Sequence, residues 1–498
     1  MAASVTARGA ALDADAIDRL ARQSMERWEV PGLAVAAVDS GRVVFSRVYG
    51  LRDAESGLVV TPGTLFAVGS IAKSFTVVTL GRLAETGRLD WDAPASAYLP
   101  KLRIRRVGSA RPVSARDLVA HRSGTHRHDA LWYLHAHSGP ELIRRVGYLE
   151  PFAPPGAAFQ YSNLMVAAAG QLAARLARSS WRALVRDRIL DPLGMGDTRL
   201  TLEAFLGAPD RASGYFPADD GRIPIPPRDT TAIAPAASVY SSLRDMTRWL
   251  RVFLAGGALD GRRVVGASSI TEFLTPRIAV PGEHRFDELG PVAYGMGFYL
   301  TAYRGRRLAR HPGVIDGYAA LMSFMPRNGL GVVVLTNRSG RNPAPAILSY
   351  AIYDRLLQLE PVSWIDRFPG VAEARALRRA TERAPTTNVS RAMTLALESY
   401  AGIYTHPAYG SIEIATDGTG ALKGRIHDIA FPLRHVAGDA WQVTEVRWPL
   451  REGLRMEFRV DPSGRVSALA TPLADGPTYR HNPGDLIFVR DPPDRPRR

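Results

Sequence analysis

A serine and a lysine three residues apart, Ser70-Ile71-Ala72-Lys73, form the pair in this chain with the plainest chemical use. On a helix, positions i and i+3 share a face one turn apart, so the amine comes within reach of the hydroxyl. A lysine can act as base for such a serine only when neutral. Burial lowers its pKa, and so does a place in the first turn, where the positive end of the helix dipole opposes a cation. The Ser70 N–H at the same terminus can donate to an oxyanion. Arginine cannot play this part, because its guanidinium keeps its proton. Only three of the chain's 63 basic residues are lysines: Lys73, Lys101 and Lys423. A lysine therefore stands beside this serine in a chain that otherwise uses arginine. Ser-x-x-Lys also arises by chance, and the motif needs company to carry chemistry.

Two further constellations supply that company. Pro154-Pro155-Gly156 leads into Phe159-Gln160-Tyr161-Ser162-Asn163, at the start of a helical run over Leu164–Ala177. Arg310-His311-Pro312-Gly313-Val314 precedes a strand over Ala319–Met325. Tyr161 lies 91 residues after Ser70, and His311 another 150 further on. Read singly, Tyr161 and Asn163 are ordinary helix-start residues and His311 is a satisfied core histidine. A single proton-transfer chain needs all these types together. In this order the motifs resemble the Ser-x-x-Lys, Tyr-x-Asn and Lys/His-x-Gly motifs of the serine β-lactamase and penicillin-binding-protein superfamily. The likeness is greatest to its class C β-lactamase-like branch of esterases and D-aminopeptidases. Leu118-Val-Ala-His121-Arg-Ser123-Gly124, Pro235-Ala-Ala-Ser238-Val-Tyr240-Ser241-Ser242 and Gly331–Asn337 support it, and it covers about residues 12–355.

The resemblance implies roles for individual residues. Ser70 is the acylated nucleophile, and Lys73 is its base in a proton network with Tyr161. Tyr161 passes a proton to the leaving group, which a phenol of ordinary pKa ~10 can do among cations. Asn163 hydrogen-bonds Lys73 and the substrate, and His311 lines the site beside Tyr161. Val314 gives the second oxyanion N–H, after the close approach that Gly313 allows. One departure bears on substrate. Position 311 is His, where true β-lactamases carry lysine followed by Thr-Gly or Ser-Gly, so the fixed charge that grips a β-lactam carboxylate is weakened. Pro312 also removes a backbone donor at a strand edge. The expected reaction is hydrolysis of a small peptide, amide or ester through a Ser70 acyl-enzyme. The alternatives are acyl transfer by a peptide cyclase of the penicillin-binding-protein thioesterase type, β-lactam hydrolysis, and a non-catalytic binding protein on this scaffold. No cofactor is implied.

Two rival features carry less. His121, His126, His128, His135 and His137 crowd 17 residues, and His126-Arg-His128-Asp129 narrowly misses the His-x-His-x-Asp spacing of binuclear zinc hydrolases. No later histidines stand in ligand contexts, so no metal is expected and these read as surface or cleft-lining histidines. The net charge of +15 invites an acidic partner. The densest basic run, Lys101–Arg116, has no interleaved aromatics to stack bases, so nucleic acid is not expected.

The elements that must position these residues follow from pattern. Residues 12–28 read as an amphipathic helix. Gly32–Val38 and Val43–Val48 read as a hairpin about Asp39-Ser40-Gly41-Arg42. The segment from Ser70 to Thr86, closed by Gly87, is apolar around most of its circumference, as a helix at the centre of a domain would be. Helical stretches continue to about residue 250, with Ser242-Leu-Arg-Asp245 as a capping box. Strand character returns at Tyr294–Tyr303, Ala319–Met325 and Gly331–Leu335. Seven short β runs follow: Gly402–Tyr404, Ser411–Ala415, Ala421–Ile426, Ile429–Leu433, Trp441–Val446, Leu454–Val460 and Arg465–Ala470. The expected fold is α+β. An antiparallel sheet flanked by helices occupies residues 1–357, with an all-helical subdomain at about 90–230. A linker or bridging helix covers 358–395, and a small all-β barrel covers 396–490. Tyr400-Ala-Gly402-Ile-Tyr404 and His406-Pro-Ala-Tyr409-Gly410 make this module resemble the lipocalin-like domain appended to several members of the superfamily. The Pro/Arg-rich tail, 491–498, reads as disordered.

Bulk composition is consistent with this. Hydrophobic residues at 46% and charged residues at 22% are ordinary for globular domains, and the length asks for two or three of them. Without cysteines, disulfides and thiolate chemistry are excluded. No stretch reaches the ~20 apolar residues of a membrane span. Residues 1–13 hold no signal-peptide core, which points to the cytoplasm, or to the periplasm for a processed chain. The partner expected is a small-molecule or peptide substrate, and oligomeric state is left open.

Overall fold

A computed structural model describes residues 12–134, 137–218, 221–282, 286–340, 342–373, 392–444, 453–473 and 485–492. The chain forms two compact units, Met1–Trp91 with Ala169–Arg383, and Asp92–Ala168 with Ala384–Arg498.

The first unit is built on a nine-stranded antiparallel sheet. Its spatial order is Ile278–Ala279, Ala293–Tyr294, Tyr299–Tyr303, Arg306–Ile315, Tyr318–Met325, Leu330–Thr336, Gly32–Asp39, Arg42–Asp53 and Leu58–Val59. The run Leu-Ala-Val-Ala-Ala-Val at Leu33–Val38 is buried on both faces, as an unbroken apolar strand at the centre of a covered sheet should be. Leu33, Val35 and Ala37 face a core shared with Ile17 and Ala21 of the helix Ala14–Arg27, and with Ile347, Ala351 and Leu348 of the helix Ala344–Leu356. On the sheet's other face the helix Leu243–Leu254 lies close enough that a Cβ at Gly331 would stand 2.8 Å from Leu250. That helix grips the helix Ala72–Glu85 through stacked Phe75 and Trp249, centroids 4.3 Å apart, and a Trp249 Nε1 bond to Ser74 Oγ of 2.8 Å. Helices on both faces of one sheet are thus the frame, and 11 of 14 residues of Ala72–Glu85 are buried, as its apolar circumference requires.

Several sequence expectations are refined. The Tyr294–Tyr303 run is two strands, because Gly295–Phe298 turns back with Gly297 at φ 79°. Ser242 caps its helix by accepting from Asp245 N, but the Asp245 carboxylate accepts instead from the N–H groups of Asp197 and Thr198, so the box is only half made. The helical stretch is interrupted by a hairpin, Gly214–Ala218 with Gly221–Ile225. Pro312 is read in the sequence at a strand edge, but Arg306–Ile315 is not among the strand runs given there. It nonetheless pairs along its length with Tyr318–Met325.

In the second unit, Asp92–Ala168 carries the helices Ala95–Tyr98, Ala115–Val119, Ala130–Tyr133 and Gly139–Val146. Arginines of the basic run pair with carboxylates there: Arg105 with Glu150, Arg111 with Asp117 and Arg116 with Asp92. The remainder is a closed eight-stranded antiparallel barrel whose strands neighbour one another in chain order. That up-and-down arrangement is the architecture of lipocalins. Alternate residues such as Ile412, Ile414, Leu422, Ile426, Phe431, Leu433, Trp441 and Phe458 turn inward and are buried. Phe431 lies across Gly424, where a Cβ would stand 2.1 Å from its ring. The eighth strand, Leu486–Arg490, is absent from the seven runs read in the sequence; it pairs with both Gly402–His406 and Val466–Thr471 and closes the barrel. Most of the expected linker (374–391), the end of the Trp441–Val446 run and the tail from 493 lie outside the described residues. No helix among the described residues is long and apolar enough to cross a membrane.

Candidate active site

Ser70 sits in a single 3-10 turn, Gly69–Ile71, that feeds directly into Ala72–Glu85. Gly69 takes a left-handed φ of 51°, which lets the chain swing from strand Phe66–Ala67 into the helix. Lys73, one turn on, is fully buried, and its Nζ lies 2.9 Å from Ser70 Oγ. The amine also donates to the carbonyl of Ala236, 3.0 Å away in the short helix Ala234–Ala237. The small-residue turn noted in the sequence thus supplies a backbone acceptor, which no side-chain pattern could have announced.

The strand Arg306–Ile315 runs against this turn. Its pairing with Tyr299–Tyr303 ends at Arg310, so His311–Ile315 presents an edge that no sheet strand among the described residues covers. A Cβ on Gly313 would stand 2.0 Å from Val68 O, and one on Gly69 would stand 3.0 Å from Val314 N. Two backbones therefore touch where neither can carry a side chain. Pro312 and Val314, two apart, turn their backbone groups to the same edge. Pro312 has no N–H to offer there. Val314 is 52% exposed. His311 is buried. Its Nδ1 donates to Pro312 O at 2.8 Å, which leaves Nε2 to accept from the Tyr294 hydroxyl at 3.0 Å. Burial, then the nearby Lys73 charge, pushes its pKa down to about 3. At neutral pH it is therefore an uncharged, doubly bonded imidazole rather than a proton carrier.

Tyr161 and Asn163 belong to the second unit and flank Ser162, whose hydroxyl accepts from Met165 N (3.4 Å) to cap the helix Asn163–Ala177. The Tyr-x-Asn spacing is thus that of two residues astride a helix cap. His121 holds the segment. Its left-handed backbone (φ 57°) brings its carbonyl to Gln160 N at 2.7 Å and its Nδ1 to Ser162 N at 3.1 Å. Its ring packs on Tyr161 with centroids 4.1 Å apart. Asn163 Nδ2 donates to Asp129 Oδ1 at 3.0 Å, which also accepts from Trp132 Nε1 at 2.8 Å. Arg127 bonds the other Asp129 oxygen and stands 5.0 Å from the Tyr161 ring centre. Arg127, Asp129 and His121 support the Tyr161–Asn163 segment, a part that sequence reasoning did not give them. The signal was there: the His126-Arg-His128-Asp129 run that looked like a near-miss metal motif holds the carboxylate that orients Asn163. Of its histidines, His126 Nδ1 lies 3.0 Å from Gln160 Nε2 and His128 Nδ1 2.9 Å from the Tyr409 hydroxyl, while His135 lies outside the described residues.

A buried amine against a serine hydroxyl at a helix start, beside a pinched strand edge, is the equipment of a serine hydrolase. Comparison with known proteins agrees. Residues 17–357 match the family model described as Beta-lactamase, and residues 387–482 match a Domain of unknown function, DUF3471. The chain belongs to the beta-lactamase family and is a serine hydrolase of that family. It is 29% identical over 429 residues to Unguisins hydrolase ungD' of Aspergillus campestris, covering 82% of this chain and 79% of that one. It is 28% identical over 354 residues to Putative beta-lactamase-like 1 of Homo sapiens, covering 68% and 67%. Among solved structures, the octameric penicillin-binding protein homologue from Pyrococcus abyssi superposes with a TM-score of 0.64 at 22% identity, covering 96% of this chain and all of that one, a likeness of fold.

Proposed function

We propose that the chain cleaves a small peptide, amide or ester through an acyl-enzyme on Ser70. Ser70 Oγ attacks the acyl carbon as its proton passes to Lys73, a step that requires the amine to have given up its own proton first, and the N–H groups of Ser70 and Val314 receive the oxyanion. The bond to the leaving nitrogen or oxygen breaks as Tyr161 delivers a proton to it. Water then attacks the Ser70 ester, giving a proton to the Tyr161 phenolate, and the acid is released as Lys73 returns its proton to Ser70 Oγ. Asn163, fixed by Asp129, is assigned to Lys73 and the substrate.

The observation that carries this reading is the 2.9 Å approach of buried Lys73 Nζ to Ser70 Oγ. The neutral state of His311 supports a peptide, amide or ester over a β-lactam, because an uncharged imidazole offers no fixed cation to a carboxylate. The hydrolase name of the Aspergillus relative agrees in reaction class. Intact-mass measurement across a panel of peptides, p-nitrophenyl esters and β-lactams tests it. An acyl adduct on the native chain, absent from Ser70→Ala, is expected. Turnover that survives Ser70→Ala overturns the assignment, and release of a macrocycle instead of a free acid would make the enzyme a transferase.

A further inference from the structure

In the reaction proposed above, Tyr161 becomes a phenolate when it protonates the leaving group, and it recovers a proton only when water attacks. A phenol of ordinary pKa ~10 gives up its proton reluctantly unless positive charge stands beside it. Two side chains of the second unit pack on the Tyr161 ring, His121 and Arg127. His121 is not the cation. Its Nδ1 accepts from Ser162 N at 3.1 Å, and a ring nitrogen that accepts carries no proton, so the imidazole is neutral. His311, the histidine of the third motif, is uncharged as well.

Arg127 is a permanent cation. Its guanidinium carbon stands 5.0 Å from the Tyr161 ring centre. Arg127 and Tyr161 are each only 9% exposed, so solvent screens little of the field between them. The arginine is held in place by Asp129, also buried, which bonds Arg127 Nε through one carboxylate oxygen. The other oxygen accepts from Asn163 Nδ2 at 3.0 Å and from Trp132 Nε1 at 2.8 Å. One carboxylate thus fixes both the amide of the Tyr-x-Asn motif and the cation beside its phenol. As a counter-charge, Asp129 also offsets part of the guanidinium's field. The effect on Tyr161 is therefore about one pH unit, the low end of what an adjacent opposite charge produces.

We propose that Arg127 is a positioning residue for the reaction, its guanidinium packed on the Tyr161 ring to stabilise the phenolate left when the phenolic proton passes to the leaving nitrogen or oxygen. Water replaces that proton during attack on the Ser70 ester, and Arg127 neither gains nor loses one. The role rests on the acyl-enzyme reading above and adds to it the source of the charge that the tyrosine needs.

Tyrosine labelled with carbon-13 at Cζ reports phenolate formation by NMR in the full chain, and Tyr161→Phe assigns the Tyr161 signal. Arg127→Met is expected to raise the Tyr161 titration midpoint by about one pH unit, and Arg127→Lys, which keeps the charge, to hold it within about 0.3 of native. Equal midpoints in native and Arg127→Met proteins overturn the proposal. If Arg127→Met fails to fold because Asp129 loses its partner, the double variant with Asp129→Asn leaves no unpaired charge, and the same rise is required of it. Activity gives a second readout. The kcat/KM for ethyl acetate, whose alkoxide leaving group needs a proton, is expected to fall in Arg127→Met about tenfold more than that for p-nitrophenyl acetate, whose leaving group departs without one. Equal losses on the two esters mark a structural role and overturn the proposal. A midpoint that rises in a chain that no ester acylates at Ser70 leaves the effect of Arg127 on Tyr161 standing and overturns the hydrolase reading instead.

Discussion

Gly313→Ala is the sharpest test of the pinch between the nucleophile turn and the strand edge. Gly313 does not have a positive φ, so alanine meets no backbone strain there, and its effect is purely steric. The added Cβ would stand 2.0 Å from Val68 O and 2.9 Å from Val68 C. Because carbon and oxygen do not approach below about 3 Å, the strand or the turn must retreat by at least about 1 Å. Overpacking of this kind costs about 1–3 kcal/mol, which a domain of this size survives. The catalytic cost is larger. A 1 Å misplacement of a reacting array is worth about 10²-fold, and loss of one oxyanion donor about 10²–10³-fold. The acylation rate of Ser70 by p-nitrophenyl acetate, followed by stopped-flow absorbance and intact mass, is expected to fall by about 10²-fold or more. Gly196→Ala is the control, since a Cβ there meets nothing within 4 Å. A folded Gly313→Ala protein that acylates within about threefold of the native rate would show that the Ser70 and Val314 N–H groups do not hold the oxyanion.

Other expectations follow from the same geometry. Lys73→Arg should leave the fold in place and slow Ser70 acylation by about 10²–10⁴-fold, because a guanidinium cannot take the proton; acyl-adduct mass after timed exposure reads it. Gly424→Ala should lower the thermal midpoint of the barrel through a Cβ 2.1 Å from the Phe431 ring, at a cost of about 1–3 kcal/mol, and calorimetry checks this. His128 and His406 have folded pKa values of about 3 and about 4, so both are neutral when folded and take protons below about pH 6.5 when unfolded. Their contribution is therefore complete above about pH 6.5 and is lost as pH falls toward those folded values, at up to about 1.4 kcal/mol per pH unit for each. Urea midpoints at pH 7 and pH 5 should differ, and His128→Phe should reduce the difference; equal midpoints in the native chain would refute it.

The nucleophile turn was legible because its logic is local: a serine and a lysine one helical turn apart, in a helix apolar all round. The Tyr161 segment was legible as a motif but not as a mechanism, since its supports come from His121 and Asp129, bonded across 41 and 34 residues of chain. Asp129 was seen only as the end of a spacing that narrowly misses a metal motif and was set aside with it, not as an anchor for Asn163. Arg306–Ile315 was legible only in part: Pro312 was read at a strand edge, but the full strand around it was not, since proline and glycine usually mark the end of a strand. Here those two residues define an edge that must lose a donor and admit another backbone. Leu486–Arg490 escaped because it takes its place between two strands, Val466–Thr471 and Gly402–His406, the second of them first in the barrel's chain order. Likewise, the His406–Gly410 motif was visible as a likeness, while the contact of its Tyr409 with His128 was not.

The central strand has a consequence for how the molecule comes into being. Leu33 pairs with Thr336 and Val35 with Val334, so a ribosome makes the middle of the sheet near the start and its neighbour about 300 residues later. Through that interval the hairpin Gly32–Asp53 waits with one side of its apolar strand unpaired, an edge that invites other chains. The nascent polypeptide thus spends most of its synthesis with its future centre exposed. Its yield in a cell is governed by what shields that edge until residue 336 arrives, and chaperone capture of truncated nascent chains should stop once Leu330–Thr336 has emerged.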